Sequence, residues 1–102
     1  MKISFDKLDK AFENRVRLQI MSVLVANERC DFNTLKDLLN ITDGNPASHL
    51  KGLEKEEYIL VHKSFLGRKT NTNYEATEKG KKAFKDHLDT LEQLIKQQKV
   101  TR

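Results

Sequence analysis

The chain has 102 residues, 19 Lys and Arg against 15 Asp and Glu, and a single cysteine. That length suits one domain with one modest core, and one thiol excludes an intrachain disulfide, so a reducing compartment is expected. The net charge of +4 leans toward an anionic partner.

No apolar run approaches the roughly 18–20 residues of a membrane span, so no membrane association is expected. Met1-Lys2-Ile3-Ser4-Phe5-Asp6 lacks the apolar core of a secretion signal, and a cytoplasmic location is expected.

Phe5, Leu8, Ala11 and Phe12 recur at helical spacing, as do Val16, Ile20, Val23 and Leu24. Asn14 has a capping side chain, so Ser4–Ala26 reads as one kinked helix or two. Cys30-Asp31-Phe32 can add a minimal strand to a later hairpin. Asn33 suits the N-cap of a helix to Asn40 that turns Leu35, Leu38 and Leu39 inward. Ile41-Thr42-Asp43-Gly44 supplies turn chemistry.

Asn45 then caps a second helix, and Pro46 suits its first position, where no backbone N–H is needed. Ala47, Leu50 and Leu53 fall on one face. Asn45, Ser48, Gly52 and Lys55 fall opposite, flanked by His49 and Lys51. A face of short polar and basic side chains with a mid-helix glycine is a poor stabilising surface, since glycine costs about 1 kcal/mol there relative to alanine. From Tyr58 the pattern is that of a half-buried strand to Ser64, a basic tip over Phe65–Asn71, and a return strand over Thr72–Thr77. Thr77 caps a last helix to about Gln98, in which Phe84, Leu88, Leu91 and Ile95 are spaced four, three, four, a short coiled-coil-like seam.

The expected fold is mainly α with a small β-hairpin, in the order helix, short strand, helix, helix, strand, strand, helix. A helix, a turn, a second helix and a charged hairpin form a device for placing one helix in a major groove and one loop on the neighbouring backbone or minor groove.

Several segments carry a family resemblance. They are Arg15-Val16-Arg17-Leu18-Gln19-Ile20, Phe32-Asn33-Thr34-Leu35-Lys36, Leu39-Asn40-Ile41-Thr42-Asp43-Gly44-Asn45, Ser48-His49-Leu50-Lys51-Gly52-Leu53-Glu54, Lys63-Ser64-Phe65-Leu66-Gly67-Arg68-Lys69 and Thr77-Glu78-Lys79-Gly80. In this order they resemble the winged helix-turn-helix transcriptional regulators of the broad MarR/ArsR-like group, in its small single-domain branch. The resemblance implies one winged-helix domain over residues 1–102 that binds double-stranded DNA as a homodimer. The expected contacts are Asn45, Ser48, His49, Lys51, Gly52 and Lys55 on the recognition helix, and Arg68, Lys69, Thr70 and Asn71 on the wing. Lys36 and Thr42 are expected on the DNA backbone. The terminal helices, about 4–26 and 77–98, are expected to serve dimerisation through Phe5, Leu8, Phe12, Phe84, Leu88, Leu91 and Ile95.

Cys30, His49, His62 and His87 lack metal-ligand spacing, and no metal or cofactor is expected. No Ser or Cys sits in a nucleophile elbow and no Gly-rich phosphate loop is present, so no enzyme activity is expected. Two other functions are weighed beside DNA binding. A winged helix that binds protein would want an apolar recognition face, and a ligand-gated sensor would want a cavity between the dimer helices and the DNA-binding unit. Effector, operator and sign of regulation are not legible.

Overall fold

A computed structural model describes residues 5–39 and 46–100. Asn40 to Asn45 lie outside the described residues, so the expected contacts Thr42 and Asn45 are not placed.

The N-terminal stripe is broken rather than kinked. Two 3₁₀ turns, Phe5–Lys7 and Lys10–Glu13, precede helix α1, Arg15–Ala26. Asn14 causes the break. Its Oδ1 accepts from the Val16 and Arg17 N–H groups at 2.9 and 3.1 Å, satisfying two donors that a new helix leaves orphaned. Strand β1, Cys30–Asp31, leads directly into α2, Phe32–Leu39. The cap here is Asp31, not Asn33. Asp31 Oδ1 accepts from the Thr34 N–H at 2.7 Å, so the helix starts before Asn33. That bond holds the Asp31 carboxyl below the usual carboxylate range.

Helix α3 spans Pro46–Lys55 and ends on a left-handed residue, Glu57, at φ 64°. The Tyr58 N–H returns to the Leu53 carbonyl at 3.0 Å and the Glu57 N–H to that of Glu54 at 2.9 Å. This is the paired bonding of a Schellman cap, which here uses glutamate where glycine is usual. Strands β2, Ile59–Leu66, and β3, Lys69–Ala76, form the hairpin, and β1 joins β3 to give the order β1-β3-β2, all antiparallel. The hairpin is longer than the sequence pattern suggests. Pairing continues to Leu66↔Lys69, which leaves Gly67 and Arg68 as the turn. Gly67 takes φ +68°, the first-position requirement of a type II′ turn. The polar run of Thr70 to Asn73 is thus strand, because ladder hydrogen bonds outweigh a modest side-chain preference.

Helix α4 covers Glu78–Val100. One core joins Ile20, Met21 and Leu24 of α1, Leu35 of α2, Leu50 and Leu53 of α3, Ile59, Tyr74 and Ala76 of the sheet, and Phe84 of α4. Cys30 belongs to it, opposite Tyr74, and burial pushes its thiol up. The architecture is a winged helix-turn-helix, as expected from the sequence.

The terminal stripe divides. Phe12 and Phe84 were expected at a dimer seam, yet both are buried within the subunit, edge to face at 5.4 Å, with Phe12 stacked on Tyr58 at 5.6 Å. The Tyr58 hydroxyl donates to Asp9, whose N–H donates to His87 Nδ1 at 3.0 Å. Leu8 and Leu91 are half-buried, while Phe5, Leu88 and Ile95 are exposed.

Tyr58 also receives α4 from the other side. Its carbonyl accepts from the Thr77 N–H at 3.0 Å, Thr77 Oγ1 donates to the Glu57 carbonyl at 2.7 Å, and the Gly80 N–H donates to Thr77 Oγ1 at 2.9 Å. A Cβ on Gly80 would lie 2.2 Å from the Tyr58 carbonyl oxygen, which is backbone and cannot yield cheaply. Gly80→Ala should therefore destabilise the fold by about 1–3 kcal/mol in denaturant unfolding, despite alanine's helix preference. Glu57→Gly should raise stability by up to about 1 kcal/mol, because only glycine occupies the left-handed region without strain.

Candidate nucleic-acid interface

Helix α3 buries Pro46, Leu50 and Leu53. At 100° per residue the opposite ridge is Ser48, Lys51 and Lys55, all exposed. Glu54 lies on the flank toward the hairpin, in a small cleft with Ala47, Lys51, Val61, Lys63 and Tyr74. Lys55, in the last turn, also complements the negative end of the helix dipole.

The hairpin presents its two faces differently. Strand alternation puts Val61, Lys63 and Phe65 on one face, across from Tyr74, Thr72 and Thr70. This face turns toward α3, because Val61, Lys63 and Tyr74 line the cleft beside it. Lys69 and Asn71 pair with Leu66 and Ser64 on the outer face, and Arg68 occupies the turn. On that outer face His62 Nε2 lies 2.9 Å from Glu75 Oε1, and Arg29 lies 3.9 Å from the same oxygen. The His62 hydrogen bond, with Arg29 nearby, holds the Glu75 carboxyl below the usual carboxylate range. The outer-face acid is thereby engaged at the base of the hairpin, away from Arg68 and Lys69.

The expected contacts thus fall into four groups. Ser48, Lys51 and Lys55 share the exposed ridge of α3. Arg68, Lys69 and Thr70 gather around the hairpin turn, with Asn71 half-buried beside the start of α2 in a cleft that includes Asp31 and Asn33. Lys36 stands apart on α2, its ammonium 5.6 Å from the centre of the Phe32 ring. His49 and Gly52 lie on the α1 flank of α3. The Arg17 Nε–H donates to His49 Nδ1 at 3.3 Å, and the Arg17 guanidinium covers Gly52 closely enough that a Cβ there would be 2.4 Å from Nη2.

Arg17 and Lys63 were not singled out from the sequence as site residues. Lys63 could have been found from strand parity once the register was fixed. Arg17 could not, because its place depends on how α1 crosses α3. Among the described residues no three His, Cys, Asp or Glu side chains gather as a metal site, and no helix is long and apolar enough to cross a membrane.

Comparison with known proteins gives this geometry a context. The sequence profile of winged helix DNA-binding domains matches residues 16–95. An uncharacterised protein of Methanocaldococcus jannaschii is 40% identical over 87 residues, which is 85% of this chain and 95% of that protein. The structure of a transcriptional regulator homologue from Pyrococcus horikoshii superposes with a TM-score of 0.77 at 30% identity, covering 84% of this chain and 85% of that one. A putative MarR-like transcription regulator from Bacillus cereus shares the fold at a TM-score of 0.70 and 18% identity, covering 89% of this chain and 68% of that one.

Proposed function

Because the chain belongs to the winged helix DNA-binding domain family, which is not a family of enzymes, we propose that it is a sequence-specific transcriptional regulator that binds duplex DNA as a homodimer in the cytoplasm. Helix α3 enters the major groove and the hairpin turn lies on the backbone or in the minor groove. The observation that carries this reading is the shared outlook of two basic elements. The Ser48, Lys51 and Lys55 ridge stands beside a hairpin that carries Lys63 on its α3-facing side and Arg68 at its turn. A helix fits the major groove, and cations at a hairpin turn suit phosphate. The Pyrococcus protein, described as a transcriptional regulator homologue, supports regulation of transcription as the outcome.

The competing reading is a winged helix that binds protein. It draws on Phe65 and Leu66, which are 75% and 68% exposed on the hairpin. The α3 ridge itself has no apolar side chain among its exposed positions, which favours DNA.

Selection of bound duplexes from a random pool is the test. Enrichment of a palindrome with half-sites about one helical turn apart is expected for a two-fold dimer, and no enrichment would contradict the proposal. With about six phosphates neutralised per dimer, log affinity should fall against log salt with a slope near −5.

Arg68→Ala and Lys69→Ala should weaken selected and random DNA alike, each reducing the salt slope by about one unit. Ser48→Ala and His49→Ala should instead relax the preference at one base pair of the half-site, at a cost of about 1–3 kcal/mol at that position. Equal weakening by both pairs of changes, measured by titration against both DNAs, would refute this division.

In this proposal the dimer forms through α4 and the N-terminal turns. Leu88 and Ile95 lie seven residues apart on one side of α4, half-buried Leu91 lies between them, and Phe5 is exposed on the first turn. Since Leu88 and Ile95 are exposed in the subunit, Leu88→Glu with Ile95→Glu should leave it folded while burying unpaired carboxylates in any dimer. Sedimentation should show a folded monomer, with palindrome affinity reduced far more than half-site affinity. A variant that stays dimeric at micromolar concentration would move the interface elsewhere.

A further inference from the structure

We infer that Arg17 of α1 sets sequence choice indirectly, by holding His49 of α3 in one tautomer and one orientation. This rests on the proposal that α3 reads a major groove. A neutral imidazole has one donor and one acceptor nitrogen. Arginine is only a donor, so the 3.3 Å contact from Arg17 Nε to His49 Nδ1 makes Nδ1 the acceptor. The proton then sits on Nε2, and the ring offers a donor at its free edge. A donor at α3 can be received by N7 or O6 of guanine, N7 of adenine or O4 of thymine, but not by the exocyclic amine of cytosine or adenine.

Gly52 belongs to the same device. The guanidinium occupies the notch that a missing side chain leaves on α3, with Nη2, Cζ and Nη1 at 2.4, 2.7 and 3.1 Å from where a Cβ would stand. The obstruction is the far end of a flexible side chain, so alanine would push Arg17 aside rather than break the helix. A glycine that costs about 1 kcal/mol in mid-helix is thus explained by the cation seated on it. His49 and Arg17 are both half-buried, which limits the competition of water for their bond. Arg17 is a positioning residue in this scheme, and His49 makes the base contact.

The experiment uses the full chain, the palindrome selected from random DNA, and duplexes with each half-site base pair replaced in turn. Arg17→Met keeps the stem and removes every donor. Arg17→Met and Gly52→Ala should each flatten the base preference that His49→Ala flattens, by about five- to tenfold. Gly52→Ala should add nothing in the Arg17→Met background, and Arg17→Met should add nothing to that preference in the His49→Ala background. Ring nitrogen-15 shifts of the free protein supply a readout independent of DNA. Nδ1 should be the unprotonated nitrogen in the wild type, and removal of Arg17 should let the tautomers mix. Arg17→Met that retains the full preference, or that weakens all duplexes equally with His49 unchanged, would overturn the inference while leaving DNA binding intact. A wild-type chain with no base preference would overturn the parent proposal and this inference with it.

Discussion

The approach of α4 to the Tyr58 carbonyl is the constraint on which the rest of the molecule depends. One residue, Tyr58, closes the Schellman cap of α3 through its N–H, leads into strand β2, and accepts through its carbonyl the Thr77 N–H that opens α4. Only a glycine at position 80 lets the helix come this close. The Tyr58 ring closes the other side, stacked on Phe12 and bonded through its hydroxyl to Asp9. Burial, with the Asp9 carboxylate beside it, pushes the Tyr58 phenol well above its usual range, which keeps that donor protonated. The exit angles of α3, the hairpin and α4 are therefore set at one place rather than by three separate linkers.

That junction gives the molecule two working ends. The turn at Gly67 and Arg68 is eight strand residues from the junction, roughly 25 Å at 3.3 Å per residue. Helix α4 leaves from the junction itself. The hairpin turn and α3 are thus separated from the apolar positions Leu88 and Ile95, so the proposed groove binding and the proposed dimerisation need not compete for surface. Rigidity at the junction matters to both. In the proposed complex, α3 would read a groove only if its distance to the second copy were fixed, and α3 and α4 both bond to Tyr58.

Much of the fold was legible because it rests on local chemistry. Pro46 marked the start of α3, the apolar run from Tyr58 marked the first hairpin strand, and Thr77 with Gly80 marked the last helix. Each signal acts within a few residues. Asn14 was legible as an interruption, but the second 3₁₀ turn before it was not, where Asp9 acts as the cap through the Ala11 N–H at 2.9 Å. The fate of Phe12 and Phe84 was not legible. A four-three spacing shows that side chains share a helix face, and it does not say whether that face meets the same chain or another. Here the first member, Phe84, meets Phe12, whereas Leu88 and Ile95 stay exposed and Leu91 is half-buried. The site divides the same way. Ser48, Lys51 and Lys55 follow from helical periodicity, whereas Arg17 reaches His49 across 32 positions of sequence. Periodicity cannot report a contact that depends on the crossing of two helices.

The most direct measurement of the central claim, that α3 and the hairpin turn form one DNA-contacting face, is a residue-by-residue map of amide shifts as a selected duplex is added to labelled protein. Perturbations concentrated at Ser48, Lys51 and Lys55 and at Gly67, Arg68 and Lys69, with the exposed side of the C-terminal half of α4 unmoved between free and bound protein, are expected. Perturbations centred on Leu88 and Ile95, or on the outer hairpin face around Leu60 and His62 with α3 unchanged, would contradict it.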